Sequence, residues 1–223
     1  MAALTATVPA TTVPLHTLDG GTLAGLDGPS IDGAQFRGVT AFAQHTTWLQ
    51  PVMKLYTTAG LAALCALALL AWWSARHRDD RAAMTAIAWT GIGTLLCIGT
   101  GLILKQVFAE SRPCLAIHTT TVQPCPGPSD YSFPSDHTVV AVALAAGIWL
   151  AHRRLGVLAA ALAAIEGFSR VYLGQHYPHD VLAAAVLSVL IIAAGWLMVR
   201  RPLAALLRAL ARTPLRPLIA RTG

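Results

Sequence analysis

Charge is what this 223-residue chain has least of: 12% of its residues are charged and only ten are acidic, where a soluble domain carries about a quarter. Aromatic residues stand at 7%. No internal repeat, coiled-coil heptad or glycine-rich nucleotide loop stands out. A basic n-region followed by an apolar h-region is also missing before the first long apolar run, so no cleavable signal peptide is expected. These shortages argue against an ordinary soluble domain. The chain is instead rich in apolar residues, 55% of the total.

The apolar residues gather into runs that approach the ~20 residues needed to cross a hydrocarbon core. The clearest are Leu55–Trp73, Ala83–Leu104 and Val181–Val199, with two shorter ones at Thr138–Ala151 and Leu155–Phe168. The expected fold is therefore all-α: a polytopic membrane bundle of about five transmembrane helices. Residues 1–34, rich in Thr, Gly and Pro, read as a poorly ordered tail. The aromatic and apolar positions of Phe36–Leu49 suit a helix lying at the membrane interface. The membrane domain then covers residues 35–200, and 201–223 form a basic amphipathic tail. Gly91, Gly93, Gly99 and Gly101 are expected to let the second span approach its neighbours.

Scarce acid leaves a formal net charge of +6, and the placement of the basic residues explains it without a nucleic-acid partner. Arg76, Arg78 and Arg81 follow the first span, and Arg153 and Arg154 lie between the third and fourth. Arg200, Arg201, Arg208, Arg212, Arg216 and Arg221 follow the fifth. All fall on one side of a five-span chain, which the positive-inside rule makes the cytoplasm. The amino terminus is then outside and the carboxy terminus inside. The arrangement expected is a multi-pass protein of the cell membrane. Lys105, Arg112 and Arg170 stand on the outer side, where cations are depleted.

Those three cations belong to three segments that meet on the outer face. They are Lys105-Gln-Val-Phe-Ala-Glu-Ser-Arg112-Pro113, then Pro134-Ser135-Asp136-His137, then Ser169-Arg170 with His176 and Asp180 following. A phosphoryl group in transfer needs its equatorial oxygens held by cations and hydrogen-bond donors. Lys105, Arg112 and Arg170 supply the charge, Ser135 a hydroxyl, and the backbone N–H groups of Asp136 and His137 a helix N-terminus. His176 and Asp180 are four residues apart, so on a helical turn Asp180 would accept from one ring nitrogen and leave the other free to attack. Other readings of the same residues exist. Lys105 and Arg112 also suit snorkelling anchors, Arg170 suits a partner for Glu166, and His137, His176, His179 and Asp180 suit zinc. Three nearby cations disfavour a divalent ion, so neither metal nor cofactor is expected.

In its order and spacing this constellation resembles the type 2 phosphatidic acid phosphatase superfamily, whose pattern is Lys-x6-Arg-Pro, Pro-Ser-Gly-His and Ser-Arg-x5-His-x3-Asp. The resemblance covers residues from about 50 to 200. It implies a catalytic core like that of the family and of the related chloroperoxidases. It also implies a phosphohistidine mechanism in which His176 attacks phosphorus, Asp180 orients it, and His137 protonates the leaving oxygen and then activates water. Asp136 departs from the pattern, standing where the wider family has glycine. Ser132-Phe133-Pro134-Ser135-Asp136-His137-Thr138 resembles the bacitracin-resistance branch of undecaprenyl-diphosphate phosphatases. The activity implied is hydrolysis of a polyprenyl diphosphate within the membrane, with a phospholipid monoester phosphatase as the second reading and an anion transporter as the third. Asp136 is expected either to favour the protonated form of His137 or to cap the third span. Cys114 and Cys125, in the outer loop, are placed to form a disulfide; Cys65 and Cys97 read as packing residues.

Overall fold

The computed structural model describes residues 26–219, and among the described residues the secondary structure is helical throughout. In chain order the helices are α1 (Gly28–His45), α2 (Gln50–His77), α3 (Arg81–Phe108), α4 (Pro113–Ala116), α5 (Asp136–Ala151), α6 (Arg153–Tyr172), α7 (Pro178–Leu210) and α8 (Arg216–Ile219). Four stretches are long and apolar enough to cross a membrane: α2, Arg81–Ala116 containing α3, α6 and α7. The fifth apolar helix, α5, has 16 residues, about 24 Å at 1.5 Å per residue. It sits in the middle of the bundle and touches α2, α3, α6 and α7.

Packing inside lipid depends on close contact rather than on expulsion of water, so small residues decide which helices meet. Ala141, Leu144, Ala145 and Ile148 of α5 pack with Leu64, Leu67 and Ala71 of α2 and with Ala159 and Ala163 of α6. On the other side of α5, Val139 and Ala143 pack with Trp89 and Cys97 of α3 and with Ala184 and Ile192 of α7. The Trp89 indole donates to the Ile192 carbonyl at 2.9 Å. Of the four glycines expected to bring α3 close to its neighbours, Gly93 faces Ile192 and Gly101 faces Val139, but Gly91 and Gly99 have open space beside them. Residues eight apart share a helix face, and this pair lies on the face turned away from the bundle. Leu69, Leu95, Ile103, Leu190 and Met198 are likewise exposed, forming the apolar exterior of a multi-pass membrane protein.

Two boundaries differ from the sequence expectation. The amino-terminal helix begins at Gly28 and ends at His45, earlier at both ends than Phe36–Leu49. Pro29 suits its first turn, and Phe36 is fully buried against Val171 and Tyr177. Residues 28–34 are therefore helical; of the tail read over 1–34, residues 1–25 lie outside the described residues. At the other end, α7 runs unbroken through Pro202 to Leu210. The division expected at residue 200 thus falls inside one helix, with Leu203 buried among the core residues.

Chain direction alternates through α2, α3, α5, α6 and α7. The end of α3, the start of α5, the end of α6 and the start of α7 therefore share one end of the bundle. The α2–α3 turn, His152 between α5 and α6, and the end of α7, with their arginines, share the other.

Candidate active site

Every residue singled out by the three segments lies at that first end. Lys105 is in the last turn of α3, and Arg112 directly precedes α4. Ser135 is the N-cap of α5, with Asp136 and His137 in its first turn. Arg170 is in the last turn of α6, His176 lies in the connection to α7, and Asp180 is in the first turn of α7. Lys105, Arg112, Ser135, Arg170, His176 and Asp180 are buried, while Asp136 and His137 are partly open. The connection carrying His176 turns at Gly174, whose φ is 82° and whose position leaves no room for a Cβ beside Thr121. Glycine is the residue that meets both demands.

His176 is held differently from the expectation. It precedes α7 instead of lying within it, so helical i, i+4 geometry does not relate it to Asp180. Its Nδ1 lies 2.9 Å from the Ser132 carbonyl and 3.5 Å from Asp180 Oδ2. The main-chain carbonyl is the closer acceptor, which assigns the proton to Nδ1 and leaves Nε2 with a lone pair. That lone pair accepts from Arg112 Nη1 at 3.3 Å. Burial, with the nearby charges of Arg112 and Arg170 in the same direction, lowers the His176 pKa to about 4 against the pull of Asp180. At neutral pH the imidazole is therefore neutral.

Asp180 is fully committed through one oxygen. Its Oδ2 accepts from the Ser132 hydroxyl at 2.5 Å and from the Tyr177 backbone N–H at 2.8 Å. Ser132 thus serves both members of the pair, and its own N–H is held by the Glu110 carbonyl at 2.8 Å.

The three cations surround this pair with different partners. Arg112 donates through Nε to the Asp130 carbonyl at 2.8 Å, through Nη1 to the Gln175 carbonyl at 2.9 Å, and through Nη2 to Asp130 Oδ1 at 2.9 Å. Lys105 Nζ donates to the Tyr131 carbonyl at 2.9 Å and pairs with Asp136 Oδ2 at 2.7 Å, with Asp130 Oδ1 at 3.6 Å. Partial burial raises the Asp130 pKa, but the hydrogen bond from Arg112 and the charges of Arg112 and Lys105 outweigh it and hold the group below the ordinary carboxylate range. Arg170 does not pair directly with Glu166: Thr57 stands between them, accepting from Arg170 Nη1 at 2.9 Å and donating to Glu166 Oε1 at 3.0 Å. Glu166 is thus joined to the site through Thr57 of α2.

Asp136 and Ser135 also take definite places. The Asp136 carboxylate goes to Lys105, and no side-chain hydrogen bond caps α5, so the capping reading lacks its contact. The buried Ser135 hydroxyl accepts from Thr138 at 3.0 Å, leaving its own proton to donate. Among the described residues, the set with metal-like spacing is Glu110, His179 and Asp180, which differs from the alternative zinc set of His137, His176, His179 and Asp180. Cys114 and Cys125 are joined, with Cα atoms 5.9 Å apart, and close the loop over this end.

Asp130, Ser132, Thr57, Gln175 and Glu110 were missed by the sequence reading. Glu110 and Ser132 lie within segments already singled out, but nothing in their spacing marks their roles. Asp130, Thr57 and Gln175 act through loop carbonyls or across helices, and only the fold brings them in.

Comparison with known proteins gives three findings. A family model described as the PAP2 superfamily matches residues 86–203. Undecaprenyl-diphosphatase BcrC of Bacillus subtilis (strain 168) is 32% identical over 158 residues, covering 70% of this chain and 78% of the relative; an undecaprenyl-diphosphatase of Sulfolobus acidocaldarius is 34% identical over 108 residues, covering 48% and 47%. The crystal structure of a transmembrane PAP2-type phosphatidylglycerolphosphate phosphatase from Bacillus subtilis aligns with a TM-score of 0.47 at 24% identity, over 73% of this chain and 83% of that one.

Proposed function

Because this chain belongs to the PAP2 superfamily, we propose that it is a membrane hydrolase that removes the terminal phosphate of a polyprenyl diphosphate, with His176 as the nucleophile. The observation that carries the reading is the state of His176: Nδ1 tied to the Ser132 carbonyl, and Nε2 unprotonated and directed at Arg112, where a phosphoryl oxygen would be held beside it. The two relatives named undecaprenyl-diphosphatase support the substrate class. The collection of arginines at the opposite end of the bundle supports a site on the extracytoplasmic face.

In the first step Nε2 attacks the terminal phosphorus while the bond to the bridging oxygen breaks. Burial, with the charge of Arg170, lowers the His137 pKa to about 4, and the pull of Asp136 does not offset it. The negative charge of the bound diphosphate raises it again, so that the ring takes up a proton as substrate binds and delivers it to the departing polyprenyl monophosphate. Lys105, Arg112 and Arg170 take the equatorial oxygens, for which the carboxylate of Asp130 now stands in at Arg112. In the second step His137 takes a proton from water, the water oxygen bonds to phosphorus, and the P–N bond to His176 breaks to release phosphate. The short α5 and the buried site suit a lipid phosphate arriving sideways from the bilayer.

Phosphate release by the purified protein in detergent tests the function, with polyprenyl diphosphate and phosphatidate compared side by side. The polyprenyl diphosphate should give the higher kcat/KM; a clear preference for phosphatidate would install the phospholipid monoester reading instead. Activity should survive EDTA, because three cations already neutralise the developing charge, and vanadate should inhibit as a mimic of the trigonal-bipyramidal transition state. Loss of activity on chelation with recovery on zinc alone would reject this.

Asp136 ties substrate choice to Lys105. A diphosphate brings a second phosphoryl group beside the transferred one, and the Asp136 carboxylate fixes the Lys105 ammonium at 2.7 Å, holding one of the three cations where it can face both groups. Asp136→Gly should lower the preference for the diphosphate by about tenfold, the size of one charge-assisted hydrogen bond. Equal losses on both substrates would remove Asp136 from specificity.

A further inference from the structure

Beside the catalytic pair lies a second cluster that the reaction as described does not use. His179 on α7 has a carboxylate at each ring nitrogen. Nδ1 is 2.8 Å from Asp32 Oδ1 of α1, and Nε2 is 3.1 and 3.2 Å from the two oxygens of Glu110, which follows α3. The His179 backbone N–H also donates to Asp32 Oδ2 at 2.6 Å. Its ring stacks against Tyr177 on one side, with centroids 5.3 Å apart and planes at 20°, and against Phe133 at 6.1 Å and 25°. An imidazole with two carboxylate partners satisfies both only with a proton on each nitrogen.

The same Nε2 lies 3.4 Å from Asp180 Oδ1. That oxygen is buried and takes no hydrogen bond, whereas its twin Oδ2 holds Ser132 and Tyr177 and faces His176. Three acidic groups, Asp32, Glu110 and Asp180, therefore surround one histidine, and Glu110 and Asp180 are both almost fully buried. Buried carboxylates that share a site repel, and one of them takes up a proton unless a cation lies between. A protonated or turned Asp180 no longer stands as a carboxylate beside the His176 Nδ1–H.

We propose that His179, clamped between Asp32 of the amino-terminal helix and Glu110, is a positioning residue that holds Asp180 ionised and aimed at His176, so that α1 belongs to the catalytic assembly. Gly28 fits this role: a Cβ there would run into the Glu110 carboxylate and the Tyr177 ring, so glycine lets the start of α1 seat on the cluster. The kink at Asp32, where φ is −146° within α1, is where α1 delivers the acceptor to His179.

This inference rests on His176 being the nucleophile and Asp180 its partner, so the test measures both. Full-length wild type, Asp32→Asn, His179→Gln and His179→Gln/Glu110→Gln are assayed in detergent with polyprenyl diphosphate, with thermal melting and phosphohistidine trapping alongside. Asp32→Asn and His179→Gln should each lower kcat by about tenfold to a hundredfold, the range for a misplaced catalytic group, with KM held within about twofold. Adding Glu110→Gln to His179→Gln should restore part of the lost kcat, because it removes the charge that His179 no longer offsets. A purely structural stitch gives the opposite order, since the double variant then loses another contact and becomes worse. Wild-type kcat in His179→Gln, or a further fall in the double variant, would overturn the proposal. Should His179→Gln fail to fold, Asp32→Asn decides alone, through its split between kcat and KM. A wild type that turns over without any phosphohistidine would instead bring down the nucleophile reading, and this proposal with it.

Discussion

Replacing His176 with alanine should lower phosphate release by more than about 10⁴-fold, as removal of a covalent nucleophile does elsewhere. The side chain is buried, but its ring makes its one close acceptor contact with a main-chain carbonyl, so the bundle should remain folded. Stability should separate from activity in a pH-dependent way. Burial lowers the His176 pKa to about 4 from an ordinary 6.5. Between those values the unfolded chain takes up a proton that the folded chain refuses, and stability falls as pH falls through that window. His176→Ala escapes this cost, so its melting temperature should gain on the wild type as pH drops from about 6.5 toward about 4. A variant that keeps activity within tenfold of wild type would rule out His176 as nucleophile.

Arg112 carries the second large effect. Its guanidinium reaches Asp130 through Nη2 and the Gln175 carbonyl through Nη1, and Nη1 also faces the attacking nitrogen of His176. A group in that position can follow a phosphoryl oxygen from ground state to transition state if the substrate takes the place of the Asp130 carboxylate at Nη2. Arg112→Ala should reduce kcat by about 10²–10³-fold, comparable with loss of one preorganised oxyanion donor. Arg112→Lys should recover little of this, since an ammonium is a point charge and cannot fork between partners. Full rescue by lysine would mean that Arg112 contributes charge alone.

The spans, their alternation and the meeting of three segments at one end were all legible from hydropathy and basic-residue placement. That follows from physics: crossing lipid demands long apolar helices, and alternate crossings bring the ends of α3, α5, α6 and α7 together. The detail of the site was less legible. Sequence spacing pairs His176 with Asp180 as helical neighbours, yet His176 lies before the helix and the closer acceptor is the Ser132 carbonyl. Spacing between side chains carries no information about a carbonyl delivered by a loop. Asp32 was hidden for a different reason, since a Gly-, Thr- and Pro-rich stretch has the composition of a tail, and its helix is held by contacts with Tyr177 and His179 instead of by its own pattern. The direct Arg170–Glu166 pair failed because Thr57, from a helix more than a hundred residues away in sequence, fits between them.

A covalent mechanism and direct attack by water can be told apart by rapid quenching of the wild-type enzyme under alkaline conditions. The substrate would be a polyprenyl diphosphate labelled in its terminal phosphate, with tryptic peptides mapped afterwards. The label should appear on the peptide Val171–Arg200 at His176, resist alkali, disappear in acid, and be absent from His176→Ala. Turnover that leaves no label on His176, or a label on any other residue, would contradict it.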